Sequence, residues 1–170
     1  GYEGASIRQV AMMSSGVQFN EDYLDYDSDI NKMGRELALG GSLDEFSARI
    51  KDMAGAPGEN WRYVSIDTHV LGMVLRGATG KTVADYMAEI LWSKIGVEAG
   101  AYYLTYGAGA AFVLGGLNMR TRDYARFGRL FLNDGLWDGE QVISQAWVRE
   151  STSDLAPSPA PGYERGEQYG

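Results

Sequence analysis

Tyr63 and Ser65 stand two residues apart, just ahead of an apolar-periodic run. A phenol held on a tight turn at a helix start, with Ser65 two residues on, can point into a cleft. The same pair also fits a plainer description, a half-buried aromatic packing a loop and a serine capping the next helix. Spacing alone leaves both readings open. Residues 20–29 form a polar, acidic stretch that contains Tyr23 and Tyr26. His69 is the sole histidine. One His builds neither a zinc site nor a Ser-His-Asp triad, so His69 is expected to be structural or solvent-facing. The chain contains no Cys, so thiolate chemistry and disulfides are absent and any compartment fits.

Acyl transfer needs a nucleophile, a base and an oxyanion hole. The sequence has no Gly-x-Ser-x-Gly elbow. No Ser has a Lys three residues later; Ser28 and Ser47 have one at four. Lys-Thr-Gly and His-x-Gly triplets are missing as well. Gly80-Lys81-Thr82 ends like a phosphate loop, but the Gly required six residues before the Lys is Leu75. Asp25, Asp27, Asp29, Asn31 and Glu36 fall at calcium-loop ligand positions, yet Ile30 occupies the place of the turn glycine. A solvated acidic loop is the expected reading, and no metal site is assigned.

The elements that would position these groups are set by caps and periodicity. A Gly/Pro-rich loop, residues 55–60, delivers Tyr63. Ser65 or Asp67 caps a helix whose apolar stripe is Val70, Leu71, Val74 and Leu75, ended by Gly77 and Gly80. Ser6 with Gln9, and Ser42 with Glu45, are capping-box patterns. Ile7, Val10 and Met13 would face inward after the first, and Leu43, Phe46, Ile50 and Met53 after the second. A weakly helical piece runs to Leu39. Thr82 opens a helix with Val83, Tyr86, Met87, Ile90 and Leu91 inward. Residues 101–119 are rich in Gly, aromatic and β-branched types and read as a short hairpin or irregular loop. Thr121 caps a helix with Tyr124, Phe127, Leu130 and Phe131 inward, Asp138-Gly139 is a hairpin turn, and Ser144 caps a last short helix. The sum is about six helices and few strands.

Composition bounds the partners. The 170 residues suit one ordinary domain. A net charge of -8 argues against nucleic-acid and anionic-membrane partners. No apolar run approaches the ~20 residues of a membrane span.

Several stretches, in order, resemble the β-lactamase-related serine hydrolases. That family holds class C β-lactamases, D-alanyl-D-alanine carboxypeptidases, esterases and aminohexanoate-dimer hydrolases. Tyr63-Val-Ser65 with Asp67-Thr68, Leu71-Gly72 and Ala78-Thr79-Gly80 is similar to the family's central segment. Met12-Met13-Ser14-Ser15-Gly16-Val17 resembles the Met-Thr/Ser-Ser-Gly-Leu segment. Asn20-Glu-Asp-Tyr23 resembles the adjoining loop of the nylon-oligomer branch. Leu91-Trp92 with Ile95-Gly96, Gly115-Gly116-Leu117, Thr121-Arg-Asp123 with Ala125-Arg-Phe-Gly128, and Trp147-Val148 match in turn.

The resemblance implies an α+β fold of the serine β-lactamase/penicillin-binding-protein type, of which this stretch is the mostly α part. Residues 1–156 would be the central, largely helical part of one domain, and 157–170 an extended Pro/Gly-rich tail. It implies a serine hydrolase that cleaves a small ester, amide or peptide bond through an acyl-enzyme, with no cofactor. The acylated Ser and its Lys, from a Ser-x-x-Lys helix, would lie outside this chain, so the stretch alone would be inactive. Tyr63 would be the proton-transfer residue, while Ser65 and Tyr23 would touch substrate. Ser65 replaces the Asn common in lactamases and carboxypeptidases, which favours an esterase or short-amide hydrolase. Bringing a phenol from ~10 to ~7 needs roughly 4 kcal/mol. A helix N-terminus contributes about 0.3–1 kcal/mol, so a cation such as that Lys has to supply the rest. The alternative is a non-catalytic helical binding or scaffold domain of the same fold. A calcium-binding loop protein is the weakest third reading.

Overall fold

Ser6, Ser28, Ser42, Thr82 and Ser144 each accept a backbone N–H three residues on, and each starts a helix. Short hydroxyl side chains at helix starts thus lay out most of the architecture. The protein is seen in a computed structural model that describes residues 1–107 and 109–163. Among these residues seven helices occur in the order α1 (Ile7–Ala11), α2 (Asp29–Ala38), α3 (Leu43–Arg49), α4 (Ser65–Thr79), α5 (Val83–Met87), α6 (Thr121–Leu132) and α7 (Gln145–Ser151). Four two-residue strands form two antiparallel pairs. Strand β1 (Tyr102–Tyr103) pairs with β2 (Leu117–Asn118), and β3 (Leu136–Trp137) with β4 (Glu140–Gln141). The expected hairpin at 101–119 is therefore present, and the stretch is mostly helical as anticipated.

The chain divides into two compact units. The first holds residues 1–74, 106–110 and the segment from 156. Its core contains Val10, Val17, Phe19, Ile30, Met33, Leu43, Trp61, Val64 and Ile66. Phe19 meets Phe46 edge-on at 6.4 Å. Ile7 is exposed, and Met53 lies beyond the end of α3 in a bridge to Val17, so neither belongs to a buried helix face. Within α4 the most buried positions are Ser65, Ile66, Asp67, His69 and Gly72, one step round from the expected stripe. Gly77 lies inside α4; the helix ends at Gly80, whose φ is +67°. Part of the tail is docked, since the Trp61 N–H donates to Ser158 O at 2.9 Å and the Ala160 N–H to Trp61 O at 2.8 Å. Residues 164–170 of that tail lie outside the described residues.

The second unit holds residues 75–105 and 111–155. Trp92, Ile95, Leu130 and Trp137 make its core, with Met87, Leu91, Val97, Met119, Val142 and Ile143 packed around them. A π turn, Ala88–Trp92, comes directly after α5, and the Ser93 N–H reaches back five residues to Ala88 O at 3.0 Å. The extra residue turns Ile90 outward and buries Trp92 and Ile95, a rotation that simple helical periodicity misses. In α6 the position expected for Tyr124 is exposed, and its neighbour Asp123 is the buried one. Arg120 precedes α6 without a side-chain cap, so Thr121 is the first helical residue and not the cap. Asp123 Oδ1 accepts from the Glu98 N–H and from Arg126, both at 3.0 Å. Arg126 also donates to Glu98 and holds that carboxyl below its usual range. Asp138 and Gly139, at φ 46° and 87°, form the expected hairpin turn between β3 and β4.

A candidate active site at the head of helix α4

The segment leading into α4 is pinned by backbone bonds. Gly58 donates to Ser14 O and Arg62 to Met13 O, both at 2.8 Å. Trp61 and Val64 are buried on either side of Tyr63, which is itself half-buried. The Arg62 guanidinium donates to Tyr163 Oη at 2.7 Å, Gln18 Oε1 at 3.0 Å and Phe19 O at 3.3 Å. That cation is therefore committed to structure.

Tyr63 Oη lies 3.1 Å from Ser65 Oγ, so the structure brings the expected phenol and hydroxyl together. The cap on α4 comes from neither Ser65 nor Asp67. Glu21, on the loop before Tyr23, accepts the Ser65 N–H through Oε1 and the Ser65 hydroxyl through Oε2, the latter at 2.9 Å. A carboxylate at a helix start is favoured by the exposed N–H groups and the helix dipole. Tyr23 Oη reaches the same Glu21 oxygen at 3.5 Å. Partial burial and then the Glu21 charge raise the Tyr23 hydroxyl above its ordinary value. Tyr23 and Ser65 thus meet one carboxylate, and Tyr63 is linked to it through the Ser65 hydroxyl. Spacing carries no mark of Glu21's part. Its only signal in the sequence is membership in the Asn20-Glu-Asp-Tyr23 stretch, and an acidic loop reads as merely solvated.

Asp67, in the first turn of α4, is fully buried and accepts from Tyr2 Oη at 2.7 Å. Burial pushes its carboxyl up to about 6, against hydrogen bonds from Tyr2 and Ser15, and the Glu21 charge adds to the rise. Burial and the Asp67 carboxylate push the Tyr2 hydroxyl well above the ordinary range. His69 is buried with its Nε2 2.8 Å from Asp44 Oδ1, which also accepts from Tyr106 Oη at 3.3 Å. It ties α3 to α4 within the first unit. The residues at calcium-loop positions act structurally. Asp29 accepts the Asn20 N–H at 2.8 Å, Asn31 donates to the carbonyls of residues 22, 23 and 25, and Glu36 pairs with Arg49. Among the described residues no group of three or more His, Cys, Asp and Glu side chains could hold a metal ion.

The fold is that of the β-lactamases and penicillin-binding proteins. A penicillin-binding protein from Bacillus halodurans superposes with a TM-score of 0.63 at 14% identity, over 88% of this chain and 52% of that one. A Bacillus anthracis protein described as a candidate 6-aminohexanoate-dimer hydrolase superposes with a TM-score of 0.74 at 27% identity, over 86% of this chain and 40% of that one. The 6-aminohexanoate-dimer hydrolase of Paenarthrobacter ureafaciens is 31% identical over 154 residues, 86% of this chain and 39% of that protein. The family profile described as Beta-lactamase matches residues 1–168, and the chain belongs to that family. It spans about two-fifths of the length of the two aminohexanoate-dimer hydrolase relatives.

Proposed function

We propose that this chain is the central part of a serine hydrolase that cleaves a small ester, amide or peptide bond through an acyl-enzyme. Residues 1–156 are its largely helical portion, with 157–170 as the tail. Tyr63 carries the proton, and Ser65 and Tyr23 touch the substrate. The nucleophilic Ser and its Lys come from a Ser-x-x-Lys element beyond this stretch. The observation that carries the reading is the half-buried Tyr63 phenol, held 3.1 Å from Ser65 at the head of α4 in a β-lactamase-family chain. Its oxygen meets the Ser65 hydroxyl, which in turn meets the Glu21 carboxylate, a polar chain of the kind that proton transfer uses.

The resemblance to aminohexanoate-dimer hydrolases and the Ser at position 65 favour a short amide or ester over a β-lactam. Stopped-flow hydrolysis of p-nitrophenyl esters by the full-length protein tests this. The expected result is a stoichiometric burst followed by turnover, with Tyr63→Phe lowering kcat about 10²–10⁴-fold. The 170-residue chain alone should give neither burst nor turnover. Full activity in Tyr63→Phe, or an acyl burst from the isolated chain, overturns the assignment. A non-catalytic binding domain of the same fold would show no burst in the full-length protein either.

A further inference from the structure

We propose that Glu21 is a positioning residue that fixes the direction of the Tyr63–Ser65 hydrogen bond, a proposal that rests on Tyr63 being the proton carrier. A carboxylate only accepts hydrogen bonds, and a serine hydroxyl has one proton to give. Glu21 Oε2 stands 2.9 Å from Ser65 Oγ and takes that proton. The 3.1 Å bond between Tyr63 and Ser65 is then carried by the phenol proton, with Ser65 Oγ accepting. The polarity runs Tyr63 O–H to Ser65 Oγ–H to Glu21. Glu21 Oε1 also accepts the Ser65 N–H, which locks the carboxylate on the first residue of α4 and leaves it no freedom to swing away.

The consequence is chemical. In the resting site the Tyr63 O–H points at Ser65 Oγ, and a phenol whose proton is committed in this way meets an incoming group as an acceptor. A hydroxyl pair without Glu21 would be free to run either way, and with Ser65 donating, the phenol proton would point at an incoming group and repel its N–H or O–H. Tyr23, 3.5 Å from the same carboxylate oxygen, is oriented by the same charge. One acceptor-only group thereby orders three hydroxyls.

Glu21→Gln is the test, in the full-length protein with a p-nitrophenyl ester. The amide keeps an oxygen for the Ser65 N–H but brings an NH2 to the position that accepted the Ser65 hydroxyl, releasing that proton toward Tyr63. The expected result is a kcat about 10–100-fold lower, with any rise in KM smaller than the fall in kcat. Ser65→Ala should lose a similar factor. The double variant should be no worse than the poorer single variant, because Glu21 acts through the Ser65 hydroxyl. Additive losses, a loss confined to KM, or wild-type kcat in Glu21→Gln overturns the proposal. If Tyr63→Phe keeps full turnover, the proton-carrier reading itself fails; if Tyr63→Phe is inactive while Glu21→Gln is unaffected, only the positioning role fails. A readout without variants is the ¹³Cζ signal of Tyr63 in mixed H2O/D2O. Separate protonated and deuterated signals show a hydroxyl proton held in a slow-exchanging bond, as expected; one averaged signal like that of the exposed tyrosines counts against it.

Discussion

The Ser65 hydroxyl lies 2.9 Å from a Glu21 carboxylate oxygen, across a separation of 44 residues, and the same carboxylate accepts the Ser65 N–H. Glu21 is therefore both the cap of α4 and the partner of the candidate site. The first role has a stability consequence. Glu21→Ala leaves the α4 start without its acceptor and should destabilise the chain by about 1–2 kcal/mol. At this chain length that is a fall in Tm of roughly 2–8 °C. Glu21→Gln keeps an oxygen for the Ser65 N–H and should lose less than half of that. Thermal unfolding followed by circular dichroism separates the two variants; equal losses would mean that the charge, and not the acceptor, stabilises the helix.

Asp67 gives the chain a pH dependence. Its carboxyl ionises at about 6 in the folded protein, raised by burial, against 3.8 for the free group. The folded state then holds a proton that the unfolded state has released, so stability falls as pH rises between those values. Below 3.8 both states are protonated and the penalty vanishes; above about 6 it is complete, at about 3 kcal/mol. Asp67→Asn can still accept from Tyr2. It should flatten the stability profile between about pH 4 and about pH 6.5 and be the more stable protein at about pH 7. Urea unfolding across that range checks the slope, and an unchanged slope in the variant would place the titration on another group.

Gly16 and Gly4 share a left-handed backbone, with φ of +79° and +85°, but differ in the space around them. A Cβ on Gly16 would meet Gly55 O at 2.4 Å, whereas one on Gly4 meets nothing within 4 Å. Gly4→Ala should therefore cost only the backbone strain, about 1–2 kcal/mol. Gly16→Ala should cost clearly more, because the Gly55 carbonyl, part of the loop that delivers Tyr63, has to move. Comparing the two midpoints in urea tests the difference, and equal costs would show that strain alone decides.

The features legible in the sequence are the short-range ones. Ser6, Ser42, Thr82 and Ser144 cap the helices expected of them, and Asp138-Gly139 makes its turn, because each depends on atoms within a few residues. That Tyr63 and Ser65 meet is legible for the same reason. Glu21 is not, since its contact spans 44 residues and a carboxylate in an acidic loop has no local mark of being a cap. Asp67 and Asp123 escape notice as buried groups because periodicity scores them as polar, while a tyrosine hydroxyl or an arginine supplied elsewhere lets them go inside.

The π turn after α5 separates two readings of the second unit. Uninterrupted helical spacing puts Ile90 in the core beside Leu91, and only Leu91 packs there. The Ser93 N–H to Ala88 O bond, at 3.0 Å, instead inserts one residue and rotates the chain beyond it. Ile90 is 40% exposed and Ile95 is fully buried, packed with Trp92, Leu130 and Trp137. Truncating a fully buried isoleucine removes its transfer energy and leaves a cavity, so Ile95→Ala should cost about 2–5 kcal/mol. Ile90→Ala removes a side chain that water already reaches and adds a good helix former, so it should cost under about 1 kcal/mol. Chemical denaturation of the two variants side by side measures the ratio. Were Ile90→Ala the more damaging, the inserted residue would not be present in solution and the helix would run straight through.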